Sequence, residues 1–241
     1  MRGLDVFSLE LDGLCVSYGK VPVLHDVSLK VTKGQVVTII GANGAGKSTV
    51  MKVVMGLHKA TSGSVRLFGK DVLGKSPDQL TPLGMTLVPE GRRLFAPMTV
   101  RENLEMGAYR RTSAPEVQAD FEKVLEFFPD LKPKLDLTAG SLSGGQQQMV
   151  AVARALMTSP KVMLLDEPTI GLAPAVVDVI AGVIRQVSND GVDVLLVEQN
   201  AEMALEISDY GYVLEQGRIV LEAPASELAS NPEVQKAYLG I

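Results

Sequence analysis

Gly41-Ala42-Asn43-Gly44-Ala45-Gly46-Lys47-Ser48 matches the pattern G-x-x-x-x-G-K-[ST] in full. That pattern suits a polyphosphate. Gly41, Gly44 and Gly46 let the backbone curl without Cβ clashes and aim N–H groups inward. A helix starting there adds the positive end of its dipole. Lys47 is then placed to reach β and γ phosphates, and the Ser48 hydroxyl to ligate Mg2+. A second stretch, Lys161-Val162-Met163-Leu164-Leu165-Asp166-Glu167-Pro168, ends an apolar run in two carboxylates. In a parallel sheet, ligands sit at the carboxyl ends of strands. Asp166 would hold Mg2+ there, directly or through water, and Glu167 would orient or deprotonate an attacking water. Alone, an Asp-Glu pair at a strand end reads as a cap or a solvated turn; the glycine loop upstream makes it a catalytic candidate.

Leu142-Ser143-Gly144-Gly145-Gln146 opens another helix. Ser143 is a good cap, and the paired glycines expose the first free N–H groups. That is a second place shaped for a phosphate. One γ phosphate hardly needs two such termini from one chain. Two chains paired head to tail, each lending its Ser143 helix to the other's nucleotide, would use both.

These groups need a scaffold. The first third reads as sheet: Leu9–Ser17, Val27–Val31, Val36–Ile40, Ser64–Phe68 and Met85–Val88 are apolar or alternating runs bounded by Gly, Pro or Lys-Gly. Val36–Ile40, rich in β-branched residues, reads as a buried central strand, with Thr49–Met55 as helix beyond the glycine loop. The middle reads as helix, over Val100–Ala108 and Pro115–Phe128. The last third alternates: helix Gly144–Met157, strand Lys161–Leu165, helix Pro174–Val187, strand Val194–Val197 and helix Ala201–Ile207. Tyr212–Leu214 and Arg218–Leu221 then flank Gln216-Gly217 as a hairpin. Strands alternating with helices predict an α/β core with parallel strands. Residues 90–142 read as a small helical lobe inserted into it, with 1–89 and 143–241 as the catalytic core of a single domain spanning 1–241.

Composition excludes other classes. The chain has 241 residues, 46% hydrophobic and 21% charged, which fits a globular domain and not a disordered one. Its net charge of -5 argues against general nucleic-acid binding. A single cysteine, Cys15, allows no internal disulfide and reads as a small buried hydrophobe. Met51, Met55, Met149 and Met163 read as core filler. Met1–Leu11 carries charges and lacks an apolar core, and no run is long enough to span a bilayer. The expected place is the cytoplasm, or a docking partner there.

With Leu142–Gln146 upstream of Asp166-Glu167, the chain resembles the ABC transporter ATPases from Tyr18 to Gly240. The resemblance implies a P-loop nucleoside triphosphate hydrolase core of ABC type, with an N-terminal antiparallel β-subdomain and an inserted helical subdomain. It makes Gly41–Thr49 the Walker A loop, with Ala42, Asn43, Ala45 and Thr49 among the nucleotide contacts. Tyr18 falls where an aromatic residue stacks on adenine. Ser143, Gly144 and Gly145 belong to the signature that contacts nucleotide. Residues 90–142 would receive the membrane subunit, with Phe95 and Met98 expected to line that groove. ATP and Mg2+ are the implied cofactors.

Two positions depart from the wider family. Glu90 stands where a Gln is usual, and could face Mg2+ or its waters. Gln199 stands where a His is usual, and can still hydrogen-bond γ phosphate and water but cannot become a cation. His25 and His58 fall elsewhere. Val88–Phe95, Gly171–Pro174, Val197–Asn200, Met149 and Lys236–Gly240 resemble one branch, the second ATPase of branched-chain amino acid importers, with urea and short-amide importers close. Ala173 stands where much of the family has Asp. The branch implies a second, non-identical ATPase subunit (a homodimer is possible), two transmembrane permease subunits, a solute-binding protein and a peripheral place on the cytoplasmic membrane face. A non-transport ATPase would want a coiled-coil insertion, a basic tract or zinc-site cysteines, and the sequence has none of them. A nucleotide-controlled docking module is favoured by Glu90 and Gln199 and disfavoured by Glu167.

Overall fold

The computed structural model describes residues 7–239; Gly240 and the first half of the Met1–Leu11 stretch lie outside them. The chain opens with two long antiparallel strands, β1 (Phe7–Tyr18) and β2 (Val21–Thr32), followed by β3 (Val36–Ile40), the glycine loop and helix α1 (Lys47–Val54). Strands β4 (Ser62–Leu67) and β5 (Lys70–Asp71) complete an antiparallel sheet in the order β2-β1-β4-β5. A short helix α2 (Pro77–Leu80) leads to β6 (Met85–Val88). Helices α3 (Val100–Gly107) and α4 (Ala114–Phe127) and a 3-10 turn over Pro129–Lys134 form the helical segment. Then come α5 (Gly144–Leu156), β7 (Val162–Asp166), α6 (Pro174–Asn189), β8 (Asp193–Glu198), α7 (Ala201–Glu206), β9 (Tyr210–Glu215), β10 (Arg218–Pro224) and α8 (Ala225–Ser230).

The second sheet runs β10-β9-β3-β8-β7-β6. Its strands are parallel except β10, which pairs antiparallel with β9 at the edge. Helices cover one face and the antiparallel sheet with α1 covers the other, so β3, β7 and β8 are apolar on both sides. Val36 and Ile40 enter the core shared with α5 and α6, while Val37 and Ile39 enter the core shared with α1 and the antiparallel sheet. The period of two along a strand produces that division. Register then aligns the strand ends: Ile40 lies opposite Glu198, Asp166 opposite Val197, and Val88 opposite Leu165. One rim of the sheet thus carries the glycine loop, Glu90, Asp166-Glu167 and Gln199.

Helix α5 starts on a reciprocal cap. Ser143 Oγ accepts from the Gln146 N–H at 3.4 Å, and Gln146 Oε1 accepts from the Ser143 N–H at 3.2 Å. Thr99 and Glu102 cap α3 the same way. Gln216 and Gly217 both take positive φ, 46° and 76°, as a tight β9–β10 hairpin requires. That turn also braces the glycine loop from behind. The Gly217 N–H donates to the Ala45 carbonyl at 2.9 Å, and the Gly217 carbonyl accepts from the His25 N–H at 2.8 Å.

Two expectations need correction, and one segment had no element assigned. The second strand begins at Val21, well before Val27; Pro22 is tolerated because β2 is an edge strand. Helices beyond Pro224 were not expected, although Asn231 Oδ1 caps the short turn at Pro232–Val234 by accepting from the Glu233 and Val234 N–H groups. Cys15 is only partly buried, and its Sγ accepts from the Asp26 N–H at 3.3 Å. The four methionines expected in the core are all buried.

Candidate active site

The loop's shape follows from two glycines. A Cβ at Gly41 would run into the Leu214 carbonyl oxygen. Gly46, at φ 111°, occupies the left-handed region immediately before α1, and a Cβ there would press on Leu24 at 2.6 Å. The loop therefore lies hard against β2 and β9, with Ala45 buried beneath it and Ala42, Asn43 and Gly44 exposed at its crest. Thr49 is buried in the first turn of α1.

Lys47 is 3% exposed. Its Nζ donates to the carbonyls of Gly41 at 2.8 Å and Ala42 at 3.3 Å, and pairs with Glu167 Oε1 at 3.3 Å. Three N–H donors thus have three partners, all within the crest and the facing carboxylate. The Ser48 hydroxyl donates to Asp166 Oδ1 at 2.9 Å. Burial pushes the Asp166 carboxyl above its ordinary range; the Ser48 hydroxyl opposes that, and the charges of Glu167 and Glu90 add to it. Glu90 is exposed at the end of β6, within electrostatic reach of Asp166. Glu167 holds φ 49°, unusual for a side chain of its size, and its N–H donates to the Val197 carbonyl at 2.9 Å. That twist turns the Glu167 carboxylate toward Lys47.

Gln199 is exposed on the same rim, its N–H donating to Glu198 Oε2 at 3.1 Å. Tyr18, at the end of β1, is 42% exposed and stacks on His58, ring centroids 4.2 Å apart. Ser143, Gly144 and Gly145 stand apart from this cluster. Gly144 faces the guanidinium of Arg92 and Gly145 faces Val176. Among the described residues no hydrogen bond or ion pair joins them to the glycine loop. Sequence reasoning passed over the Glu198 carboxylate, which holds Thr169 and Gln199. Its signal was a charge directly after the apolar run Val194–Val197.

A separate cavity of about 690 Å³ opens between β6, α3 and α5. Arg93, Phe95, Tyr109, Arg110, Arg154 and Lys161 line it, and no Asp or Glu is among its described lining residues. Phe95 lines it; Met98 does not. No described helix is long and apolar enough to cross a membrane.

A parallel sheet with a lysine-tipped glycine loop at the carboxyl end of one strand and a paired Asp-Glu two strands away defines a P-loop nucleoside triphosphatase. The family model described as ABC transporter matches residues 24–170, more than half of the chain. The chain is 48% identical to the high-affinity branched-chain amino acid transport ATP-binding protein BraG of Pseudomonas aeruginosa over 232 residues, 96% of this chain and 99% of the relative. It is 38% identical to the probable branched-chain amino acid transport ATP-binding protein LivF of Archaeoglobus fulgidus, covering 95% and 97%. The crystal structure of the ADP conformation of an ATP-binding cassette of an ABC transporter superposes with a TM-score of 0.86 at 32% identity, covering 98% and 99%. The chain belongs to the ABC transporter ATP-binding family. It is an ATPase of that family, with the α/β P-loop fold of ABC type.

Proposed function

We propose that this chain is the ATP-hydrolysing subunit of an importer for branched-chain amino acids, bound to permease subunits at the cytoplasmic membrane face. The near full-length similarity to BraG supports the cargo. The observation that carries the hydrolytic reading is Lys47 held 3.3 Å from Glu167, beside the Ser48–Asp166 pair. A triphosphate settling on the crest offers Lys47 new oxygens. Lys47 then exchanges Glu167 for phosphate, and the released carboxylate becomes available to orient and deprotonate water. The loop's inward N–H groups bind the β phosphate, and Gln199 hydrogen-bonds γ phosphate and water. Tyr18, with His58 behind it, offers its free face to adenine. Ser143, Gly144 and Gly145 complete the γ-phosphate site of a second ATPase subunit, which explains their distance from Lys47 in the same chain.

The donors fit Mg2+. Ser48 and Asp166 supply hard oxygens, Glu90 stands near, and among the described residues no His, Cys or carboxylate cluster competes to form an all-protein cage. Mg2+ would neutralise charge on the β and γ phosphates. Residues 90–142, which hold none of the named strands, act as the helical subdomain, and 1–89 with 143–241 as the core. The basic cavity with Phe95 at its wall is the proposed permease seat. The test is valine, leucine or isoleucine uptake by proteoliposomes holding the assembled transporter. Uptake that needs ATP and stops with Glu167→Gln is expected; ATP-driven uptake that survives Glu167→Gln refutes the hydrolytic assignment.

A further inference from the structure

Glu198 is 1% exposed, and no lysine or arginine pairs with it among the described residues. Its Oε1 accepts from the Thr169 N–H at 2.9 Å and the Thr169 hydroxyl at 2.7 Å, while Oε2 accepts from the Gln199 N–H at 3.1 Å. An ionised carboxylate buried without a cation is costly, and burial pushes this one above its ordinary range. A small hydroxyl could end a buried strand at lower cost. A carboxylate alone offers two acceptor oxygens that face two segments at once.

Those segments are the ones the reaction uses. Thr169 lies two residues beyond Glu167, on the chain leaving β7, and Gln199 is the first residue beyond β8. Glu167 is itself tied to β8 through the Val197 carbonyl. The two loops leave neighbouring parallel strands and have no ladder of their own to fix their spacing. We propose that Glu198 is a positioning residue for hydrolysis, a clamp whose two oxygens hold the Glu167–Thr169 loop and Gln199 in one fixed relation across the γ-phosphate site. Buried as it is, it acts through Thr169 and Gln199 and not on the nucleotide itself. It rests on the reading of Glu167 and Gln199 given above.

The clamp predicts a loss in turnover and not in nucleotide binding. Glu198→Gln keeps the volume but turns one acceptor into a donor facing donors. In steady-state ATP hydrolysis by the assembled transporter, kcat is expected to fall about tenfold, or about 1.4 kcal/mol in barrier, with KM for ATP within about twofold. Thr169→Val removes one of the three donors and is expected to lower kcat about threefold, again at constant KM. The double variant is expected to be no slower than Glu198→Gln, because both changes release the same tie. A kcat for Glu198→Gln within twofold of wild type, a parallel rise in KM, or additive losses in the double variant each overturn the clamp. If Glu198→Gln fails to fold, Thr169→Val decides alone: reduced kcat at constant KM supports it, and unchanged kcat overturns it. Glu167→Gln in the same assay separates the two levels. If that variant still hydrolyses ATP, the assignment of the site has failed, whatever Glu198 does.

Discussion

Removing the Glu167 charge is expected to tighten ADP binding while stopping hydrolysis. Lys47 has its donors spoken for by Gly41, Ala42 and Glu167, so a phosphate must displace one of them. Full charges 3.3 Å apart attract by about 5 kcal/mol at an effective dielectric near 20. Desolvation of two buried ions offsets much of that. Glu167→Gln retains a neutral acceptor worth about 1 kcal/mol. The displaced interaction is then weaker by about 1–2 kcal/mol, which makes ADP binding about 5–30-fold tighter. The assay is calorimetric titration of Mg-ADP into the full-length chain and into the Glu167→Gln variant. ADP is chosen because it lacks the γ phosphate around which two chains would close, so dimerisation does not inflate the affinity. If the variant binds ADP no more tightly than wild type, Glu167 is not competing for Lys47, and the proposed exchange is wrong.

Lys47→Ala removes a charge-assisted contact to phosphate worth about 1.5–3 kcal/mol, so nucleotide affinity should fall about 10–150-fold in the same titration. Gly41→Ala drives a methyl group into the Leu214 carbonyl and is expected to cost about 1–3 kcal/mol in urea unfolding, with weakened nucleotide binding. Phe95→Asp combined with Arg110→Glu should abolish co-purification with the permease subunits, whereas Met98→Asp, outside the cavity, should leave it intact; equal effects would displace the proposed seat. Asp193 is buried and accepts from the Gly34 N–H, and burial raises its carboxyl above the ordinary range. The folded state therefore resists its ionisation, and that penalty is fully present at neutral pH. Asp193→Asn, which keeps an acceptor, should raise Tm at pH 7, and the gain should shrink as pH falls and vanish below about pH 4.

The chemistry was more legible than its geometry. Gly41–Ser48 and Asp166-Glu167 stand out because phosphate binding restricts residue types at fixed spacing, and the structure places them on one rim. The buried strands β3, β6, β7 and β8 were readable because both faces are apolar, leaving compact β-branched or Leu-rich runs. β2 was half hidden, since it lies at a sheet edge and Pro22 and His25 break the alternation in its first part. The helices after Pro224 follow a tail whose burial depends on α7 and β9, contacts that no local pattern announces. Glu198 was passed over for a related reason. A carboxylate after an apolar strand looks solvent-facing until the neighbouring loop supplies Thr169 as its donor. The stacking of Tyr18 on His58 likewise joins residues from separate elements, and spacing alone could not pair them.

The brace from Gly217 to Ala45 sets an order of events during biosynthesis. A ribosome delivers the Gly41–Ser48 segment early and the β9–β10 turn late, so the emerging polypeptide carries its phosphate loop for most of translation without the backing that shapes it. Full nucleotide binding is therefore expected only once the final hairpin docks. Released truncated chains ending before Tyr210 should therefore fail to retain ATP, while those extending past Pro224 should begin to hold it.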